Sequence, residues 1–335
     1  MSLDPAAEAF LAAHGFARAA RHTLPGDAGH RRYTRLTGGP EPALLVDGRG
    51  ASAVGLDGEA DLRKFRDIRA HLAGGPARVP RLLAEDLPAN FLLVEDLGPV
   101  TMAQRLDAGD EPLPLYLAAA EALAAIQKLP PPAFLPPWEG RLMGEIAGRT
   151  VLDWWWPAMF GSAPTPALRE AFYDAVEAMV APFLGAHCFV HRDFFPANLV
   201  PLPEGGLGVI DFQDAGIGHP AYDLVSLVED ARRPVPDAIR EATIAHYLSL
   251  RPELDPEAFR AAMAAMGAQR HLRVATHWTR LARRDNKPAY LRFGPLCWSL
   301  LARSLGHPAA APLATFLDAH IPPARRCNPP EDAAA

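Results

Sequence analysis

The sequence predicts an α+β protein: a small, mostly antiparallel sheet followed by a larger, mainly helical part, with the boundary near residue 97. Three observations carry this. Short apolar runs separated by glycine, proline and asparagine fill the first 97 residues, as expected of strands joined by turns. From Thr101 onward apolar residues recur at helical spacing. No segment repeats along the chain.

Asp4-Pro5 reads as an N-cap followed by a first-turn proline, opening a short helix. "GDAGHRRYTRL" and "PALLVDG" follow as two strands with glycine-bearing turns. "DGEADLRKFRDIRAHLAG" is a helix, with Leu62, Phe65, Ile68 and Leu72 on one face. "RLLAED" and "FLLVEDLG" are two more strands, separated by a Pro88-Ala89-Asn90 turn. Beyond residue 98, "LPLYLAAAEALAAIQKL" is a helix and "PPPAFLPPWEG" a connecting loop. The helix "PALREAFYDAVEAMVAPFL" aligns Leu168, Phe172, Ala175, Val176, Met179 and Phe183 in one stripe, and Gly185 can end it. Further helices run through "AYDLVSLVED", "DAIREATIAHYLSL", "PEAFRAAMAAMGAQRHLRVATHWTRLARRD" and "GPLCWSLLARSL". Residues from about 327 to 335, "CNPPEDAAA" at the end, read as a frayed tail.

Composition narrows the function. The 335 residues are 49% hydrophobic and 21% charged, as in a globular protein. Lysine plus arginine number 33 against 39 acids, a net charge of −6, which is no footprint for nucleic acid. Lys64, Lys128 and Lys287 are the only lysines, so arginine supplies nearly all the positive charge. Cys188, Cys297 and Cys327 make no CxxC pair and no metal spacing, which suits thiols in a reducing cytoplasm. The start, "MSLDPAAEAFLAAHGF", does not read as a signal peptide, and no run approaches the roughly 18 apolar residues of a membrane span.

The chemistry concentrates in "FVHRDFFPANLVPLPEGGLGVIDFQDAG", Phe189 to Gly216. "CFV" is a strand that delivers His191, Arg192 and Asp193 to its end, and "LGVI" is a second strand that delivers Asp211. The Glu204-Gly205-Gly206 turn is expected to set the two side by side as a hairpin, bringing Asp193, Asn198 and Asp211 together. Asn198 and Asp211 offer oxygen ligands for a hard cation such as Mg²⁺. Asp193 is left to orient a hydroxyl and accept its proton.

"HRDFFPAN" resembles the kinase catalytic loop H-R-D-x-x-x-x-N, and "IDF" stands where a metal-binding D-F-G would. The chain lacks a G-x-G-x-x-G loop and an A-P-E segment, so it does not look like a protein kinase. Over nearly its whole length it resembles the aminoglycoside phosphotransferase and choline kinase superfamily of small-molecule kinases. "GDAGHRRYTR", "VIDFQDAGIGHPAYDLVSLVEDAR" and "GAQRHLRVATHWTRLARRDNKPAYL" are similar to one branch of it, the bacterial anomeric kinases of N-acetylmuramate and N-acetylglucosamine that act in cell-wall recycling. The resemblance implies a protein-kinase-like fold with a nucleotide-binding lobe over residues 1–97 and a catalytic and acceptor-binding lobe over residues 98–335. It also implies ATP and Mg²⁺ as cofactors and an N-acetylated amino sugar as the acceptor.

One departure stands out. Kinases carry a phosphate-pairing lysine on the third strand, and "ALLVDG" has none, Lys64 falling on the following helix. Arg31, Arg32 or Arg35 can supply the charge instead, since a guanidinium clamps phosphate oxygens bidentately. Backbone groups near Glu95 to Leu97 are implied to hold adenine, and Asp223 to brace the catalytic loop. His191 and Arg192 support the loop backbone. Asp214 either binds a second ion or caps the Gly216-Ile217-Gly218 turn. "DWWWP" offers a flat ring for a sugar face, but packing in the core is the stronger expectation. Arg270, Arg273, His277, Arg280 and Arg284 form a basic stripe, either solvated or suited to the lactyl carboxylate of N-acetylmuramate. Two other functions stay open: the same fold acting on an aminoglycoside, choline or another alcohol, and a non-catalytic nucleotide-binding regulator.

Overall fold

Ala43–Asp47 and Phe91–Glu95, the most apolar of the expected strands, pair with each other inside a five-stranded antiparallel sheet. The strands are β1 (Ala20–Thr23), β2 (Arg32–Thr37), β3 (Ala43–Asp47), β4 (Leu82–Asp86) and β5 (Phe91–Glu95), in the order β1-β2-β3-β5-β4. The computed structural model describes residues 4–24, 31–52, 57–185 and 187–330. It divides into two compact units, residues 1–110 with 196–214 and residues 111–195 with 215–335.

In the first unit Leu45 and Leu93 are direct cross-strand partners. With Leu36, Ala43 and Phe91 they form a core with Phe10, Leu11 and Phe16 at the N-terminal end of the chain. Leu92 and Val94 are buried as well, so β5 is covered on both faces. The helix Pro5–Ala13 starts as expected, with Asp4 Oδ1 accepting from the amides of Ala6 (3.0 Å) and Ala7 (3.1 Å). The helix Gly58–Ala73 buries Leu62, Phe65, Ile68 and Leu72, the face its spacing predicts. Each such side chain contributes about 1.5–3 kcal/mol of burial.

β1 was not expected. Its sequence, Ala-Arg-His-Thr, is almost wholly exposed and has no apolar alternation; it joins by backbone pairing with β2 alone, at the edge of the sheet. The glycine-bearing start of the first expected strand, residues 26–30, lies outside the described residues.

In the second unit the expected helices form at Pro112–Gln127, Pro166–Val180, Ala221–Val228, Asp237–Leu250, Pro256–Arg284 and Gly294–Leu305. Two more, Gly140–Thr150 and Ala311–His320, escaped the periodicity. The first carries Gly144 and Gly148, which weaken helix propensity. Both are there for close packing: a Cβ on Gly144 would come 3.2 Å from Tyr173 Cα, and one on Gly148 2.7 Å from the Tyr173 ring. A π-helical turn, Val151–Trp155, continues that helix and carries most of "DWWWP". Trp155 is fully buried and Trp156 nearly so, in keeping with core packing.

The chain end corrects one expectation. Rather than fraying from residue 327, the chain is held at residues 327 and 328: the Trp155 indole donates to the Cys327 carbonyl (2.9 Å), and the Asn328 amide donates to the Leu291 carbonyl (2.7 Å). Residues 331–335 of the expected tail lie outside the described residues. No helix among the described residues is long and apolar enough to cross a membrane.

Candidate functional site

The two halves of the motif fall in different units, Asp193 in the second and Asn198 and Asp211 in the first. The expected hairpin of "CFV" with "LGVI" does not form. Cys188–Val190 pairs antiparallel with Gly216–Gly218 instead, and Leu199–Pro201 pairs with Leu207–Val209 across the Glu204-Gly205-Gly206 turn. Strands of three apolar residues carry too little pattern to fix a partner, and the turn joins the two nearest runs. Gly205 (φ 96°) and Gly206 (φ 77°) supply the left-handed conformations that this turn needs.

Every residue of Cys188–Val190 is buried, so the strand holds the catalytic loop on a fixed base. Asp223, fully buried at the start of the helix Ala221–Val228, accepts from the backbone amides of His191 (2.6 Å) and Arg192 (2.9 Å). This is the bracing role expected of it. Burial lifts its carboxyl to about 6, against the pull of His191 and the two amides. The Asp193 amide donates to His191 Nδ1 (3.3 Å), and the Phe195 amide to the Asp193 carbonyl (3.1 Å). Arg192 sits at φ 74° with its guanidinium 3.9 Å from the centre of the Trp138 ring. A left-handed arginine is a strained backbone, held here by the Asp223 bond and the ring.

The Asp193 carboxyl is held below the ordinary carboxylate range. Burial pushes it upward, but the charges of Arg273, Arg192, Arg270 and His191 outweigh that. It is therefore ionised at neutral pH, as a group that receives a proton must be. Arg270 and Arg273 come from the basic stripe on the helix Pro256–Arg284; the spacing singled them out, but nothing in it placed them beside Asp193.

Asn198 and Asp211 occupy the two ends of the other hairpin, closed by the Ile210 amide donating to the Asn198 carbonyl (3.1 Å). Asn198 Nδ2 donates to Asp211 Oδ2 (3.4 Å), and Asp211 also accepts from Gln213 Nε2 (2.8 Å). Asp211 is exposed and takes φ 63°, while Phe212 beside it is fully buried and stacks on Phe65 at 4.9 Å. An amide oxygen and a carboxylate on one rigid hairpin suit a hard cation. Among the described residues no group of three or more histidine, cysteine or acidic side chains could hold a metal. A cation at this pair would draw most of its ligands from water and phosphate oxygens, as Mg²⁺ commonly does. Asp214 is exposed next to this hairpin.

Two of the three arginines expected to meet phosphate, Arg31 and Arg35, have protein partners. Arg31 clamps Asp61 through two bonds (2.6 and 2.7 Å), its guanidinium 5.9 Å from the Phe65 ring centre. Arg35 pairs with Asp96 and donates to the Gly98 carbonyl (3.3 Å). Arg32 is exposed on β2, opposite Asp47. Glu95 ends β5 and accepts from the Arg81 amide (3.1 Å) and from Arg78. Leu97 covers Gly208 so closely that a Cβ there would lie 2.5 Å from Leu97 Cδ1. Asp61 and Asp96 were missed in the sequence; the one available signal was Asp61, one helical turn before Phe65 on the same face.

Similar proteins bear on this arrangement. Residues 21–261 match the model of a family described as "Phosphotransferase enzyme family". The chain is 34% identical to the N-acetylmuramate/N-acetylglucosamine kinase of Caulobacter vibrioides over 95% of this chain and 97% of that protein. It is 35% identical to the protein of the same name from Pseudomonas aeruginosa, over 79% of this chain and 78% of the other. Its fold matches that of ADP-bound aminoglycoside phosphotransferase APH(2'')-Ib, with a TM-score of 0.62 at 12% identity, over 90% and 99% of the two chains. A choline/ethanolamine kinase family protein from Mesorhizobium loti gives 0.59 at 12% identity, over 93% and 98%. The chain shares the kinase-like fold of these structures, with its own five-stranded antiparallel sheet and mostly helical remainder. On the family match and on relatives this similar over most of its length, the chain belongs to the phosphotransferase enzyme family.

Proposed function

We propose that this protein transfers the γ-phosphoryl group of ATP to the anomeric hydroxyl of N-acetylmuramate and N-acetylglucosamine, giving the sugar 1-phosphate. The observation that carries this is the ionised Asp193, braced by Asp223 and set among arginines, in a chain whose relatives are N-acetylmuramate/N-acetylglucosamine kinases. Asp193 orients the anomeric oxygen and takes its proton as the O–P bond forms and the bond to ADP breaks. Anomeric hydroxyls are the most acidic of a sugar, so a carboxylate held low in pKa is base enough. Phosphoryl transfer leaves the protein mainly positioning and charge neutralisation to perform.

Asn198 and Asp211 hold Mg²⁺, which when bound neutralises phosphate charge. Arg31 and Asp61 take the place of the strand-lysine and helix-carboxylate pair of other kinases, with Arg32 and Arg35 on the same strand region. Backbone groups from Glu95 to Leu97 hold adenine. Aminoglycosides and choline are cations and would meet Arg192, Arg270 and Arg273 around Asp193, which disfavours them as acceptors. The product is the form of the sugar ready for conversion to a nucleotide sugar in peptidoglycan recycling.

The test is an acceptor series with ATP. N-acetylglucosamine and N-acetylmuramate are expected to be phosphorylated and their 1-O-methyl glycosides to be inert. Transfer to a methyl glycoside at a comparable rate would show that another hydroxyl, such as the 6-hydroxyl, is the one attacked.

A further inference from the structure

The basic stripe of the helix Pro256–Arg284 continues past the groups that act on Asp193. At its near end, the Arg192 guanidinium lies on Trp138, Trp138 packs edge-on against Tyr222 (5.4 Å between centroids), and the Tyr222 hydroxyl accepts from Arg273 (3.4 Å). Arg273 is thus tied to the catalytic loop through a continuous wall of side chains. His277 and Arg280 follow on the same face, four and seven residues on. At about 1.5 Å of rise per residue, Arg280 lies about 10 Å along the axis from Arg273.

The charges here are lopsided. Arg232, Arg270, Arg273, Arg280 and His277 act on one another and on Asp193 and Asp230. Asp285 is taken up by Arg284, at 2.7 and 3.0 Å. Arg280 is half-buried, its Nε is buried without a hydrogen-bond partner among the described residues, and it forms no ion pair there. Burial disfavours its charge, as do Arg284 and Arg273, with Asp285 opposing them, and an anion bound there would relieve that cost. His277 is kept neutral by burial and by Arg280 and Arg273, its pKa lowered to about 3. The neutral ring remains able to donate one N–H.

We infer that the Arg273–Arg280 face receives a carboxylate carried by the acceptor, with Arg280 as the residue that distinguishes N-acetylmuramate from N-acetylglucosamine. This rests on the reading of the protein as an anomeric amino-sugar kinase. The two sugars differ by the lactyl ether on C3, two ring carbons from the anomeric centre. With the anomeric oxygen at Asp193, that substituent is on this inference directed toward the helix face, where a guanidinium can take a carboxylate through two parallel bonds.

The experiment measures kcat/KM for N-acetylmuramate, its methyl ester and N-acetylglucosamine in the wild type, Arg280→Gln and Arg280→Lys. The wild type is expected to prefer the free acid to its ester by about tenfold or more, the scale of a charge-assisted bond. Arg280→Gln should erase most of that preference, and Arg280→Lys should keep part of it. A mainly structural residue would lower all three substrates alike and leave the ratios unchanged, and that result overturns the inference. So does a wild type that treats acid and ester equally, or one that uses N-acetylglucosamine and refuses the acid; in both cases the kinase reading stands. Turnover of neither sugar sinks both.

Discussion

Asp193 and Asp211 both end a short strand in the same motif, yet the protein prepares them in opposite ways. Asp193 is partly buried, in a loop braced by the buried Asp223, with arginine charge already in place to keep it ionised. Asp211 is open to solvent on a short hairpin, and Asn198 stands 3.4 Å from it. One half is built to be complete before anything binds. The other presents a carboxylate and an amide side chain, and on the proposed reading the rest of a coordination shell comes from solvent and phosphate. The difference teaches that loss of the base should strike the chemical step, whereas loss of the cation half should be repairable by raising the concentration of what binds there.

Asp193→Asn gives the largest expected effect. It should lower kcat by about 10²–10⁴-fold, the scale of a lost general base. ATP binding, measured by calorimetry, should barely change; near wild-type turnover would break the comparison at its strongest point.

Next is the Arg31–Asp61 pair. Arg31→Ala should raise the KM for ATP by about 10–100-fold, the scale of a lost charge-assisted bond, with sugar KM little altered. Asp61→Asn should reproduce much of it if the two act as a unit, and Arg32→Ala and Arg35→Ala give the comparison series. Normal ATP kinetics in all four variants would direct attention to Lys64.

A smaller effect is expected of Asp211→Ala and Asn198→Ala. Both should raise the Mg²⁺ needed for half-maximal rate, Asp211→Ala by about tenfold or more, or about 1.4 kcal/mol, since it removes a charged ligand. Excess Mg²⁺ should recover part of the rate, which it cannot do for Asp193→Asn. Unchanged Mg²⁺ titrations would remove these two residues from the cation site.

A separate effect falls on stability rather than on rate. Asp223 is raised from 3.8 to about 6, so the stability it contributes is fully present below the lower value and is lost as pH rises through the upper one. Asp193, held low, works in the other sense, its contribution being lost only as pH falls below the ordinary carboxylate range. Between pH 4 and 6.5, Asp223→Asn should flatten the pH dependence of thermal unfolding by an amount on the order of 2–3 kcal/mol. Parallel curves for wild type and variant would mean that Asp223 is ionised throughout.

The chemistry of the site was more legible than its wiring. Asp193, Asn198 and Asp211 stand out because a kinase loop needs these residue types at this spacing, and no pairing knowledge is required to see them. Which strand meets which was not legible: "CFV", "LVP", "LGV" and "GIG" are each three residues, and any two would make an acceptable pair by pattern. Arg35 and Asp96 lie 61 positions apart, and only the β2-β3-β5 order of the sheet brings them together. Asp223 was named from resemblance; its bonds to two loop amides come from a strand and a helix that the sequence shows separately. β1 stayed hidden because an exposed edge strand is chosen by its neighbour's backbone rather than by its own side chains.

The tethered chain end offers a spectroscopic handle. Cys188 and Cys297 are buried, and burial drives both thiols up, Cys297 to about 11, which leaves them almost unreactive at neutral pH. Cys327 is exposed. Its carbonyl accepts the indole proton of Trp155, whose ring lies 5.4 Å from that of Trp298. A maleimide dye added to the wild-type protein should therefore settle on one position, without cysteine engineering, and sit within energy-transfer range of two tryptophans. Release of the last residues from the helical core would then be read as a change in donor lifetime, separately from unfolding of the rest.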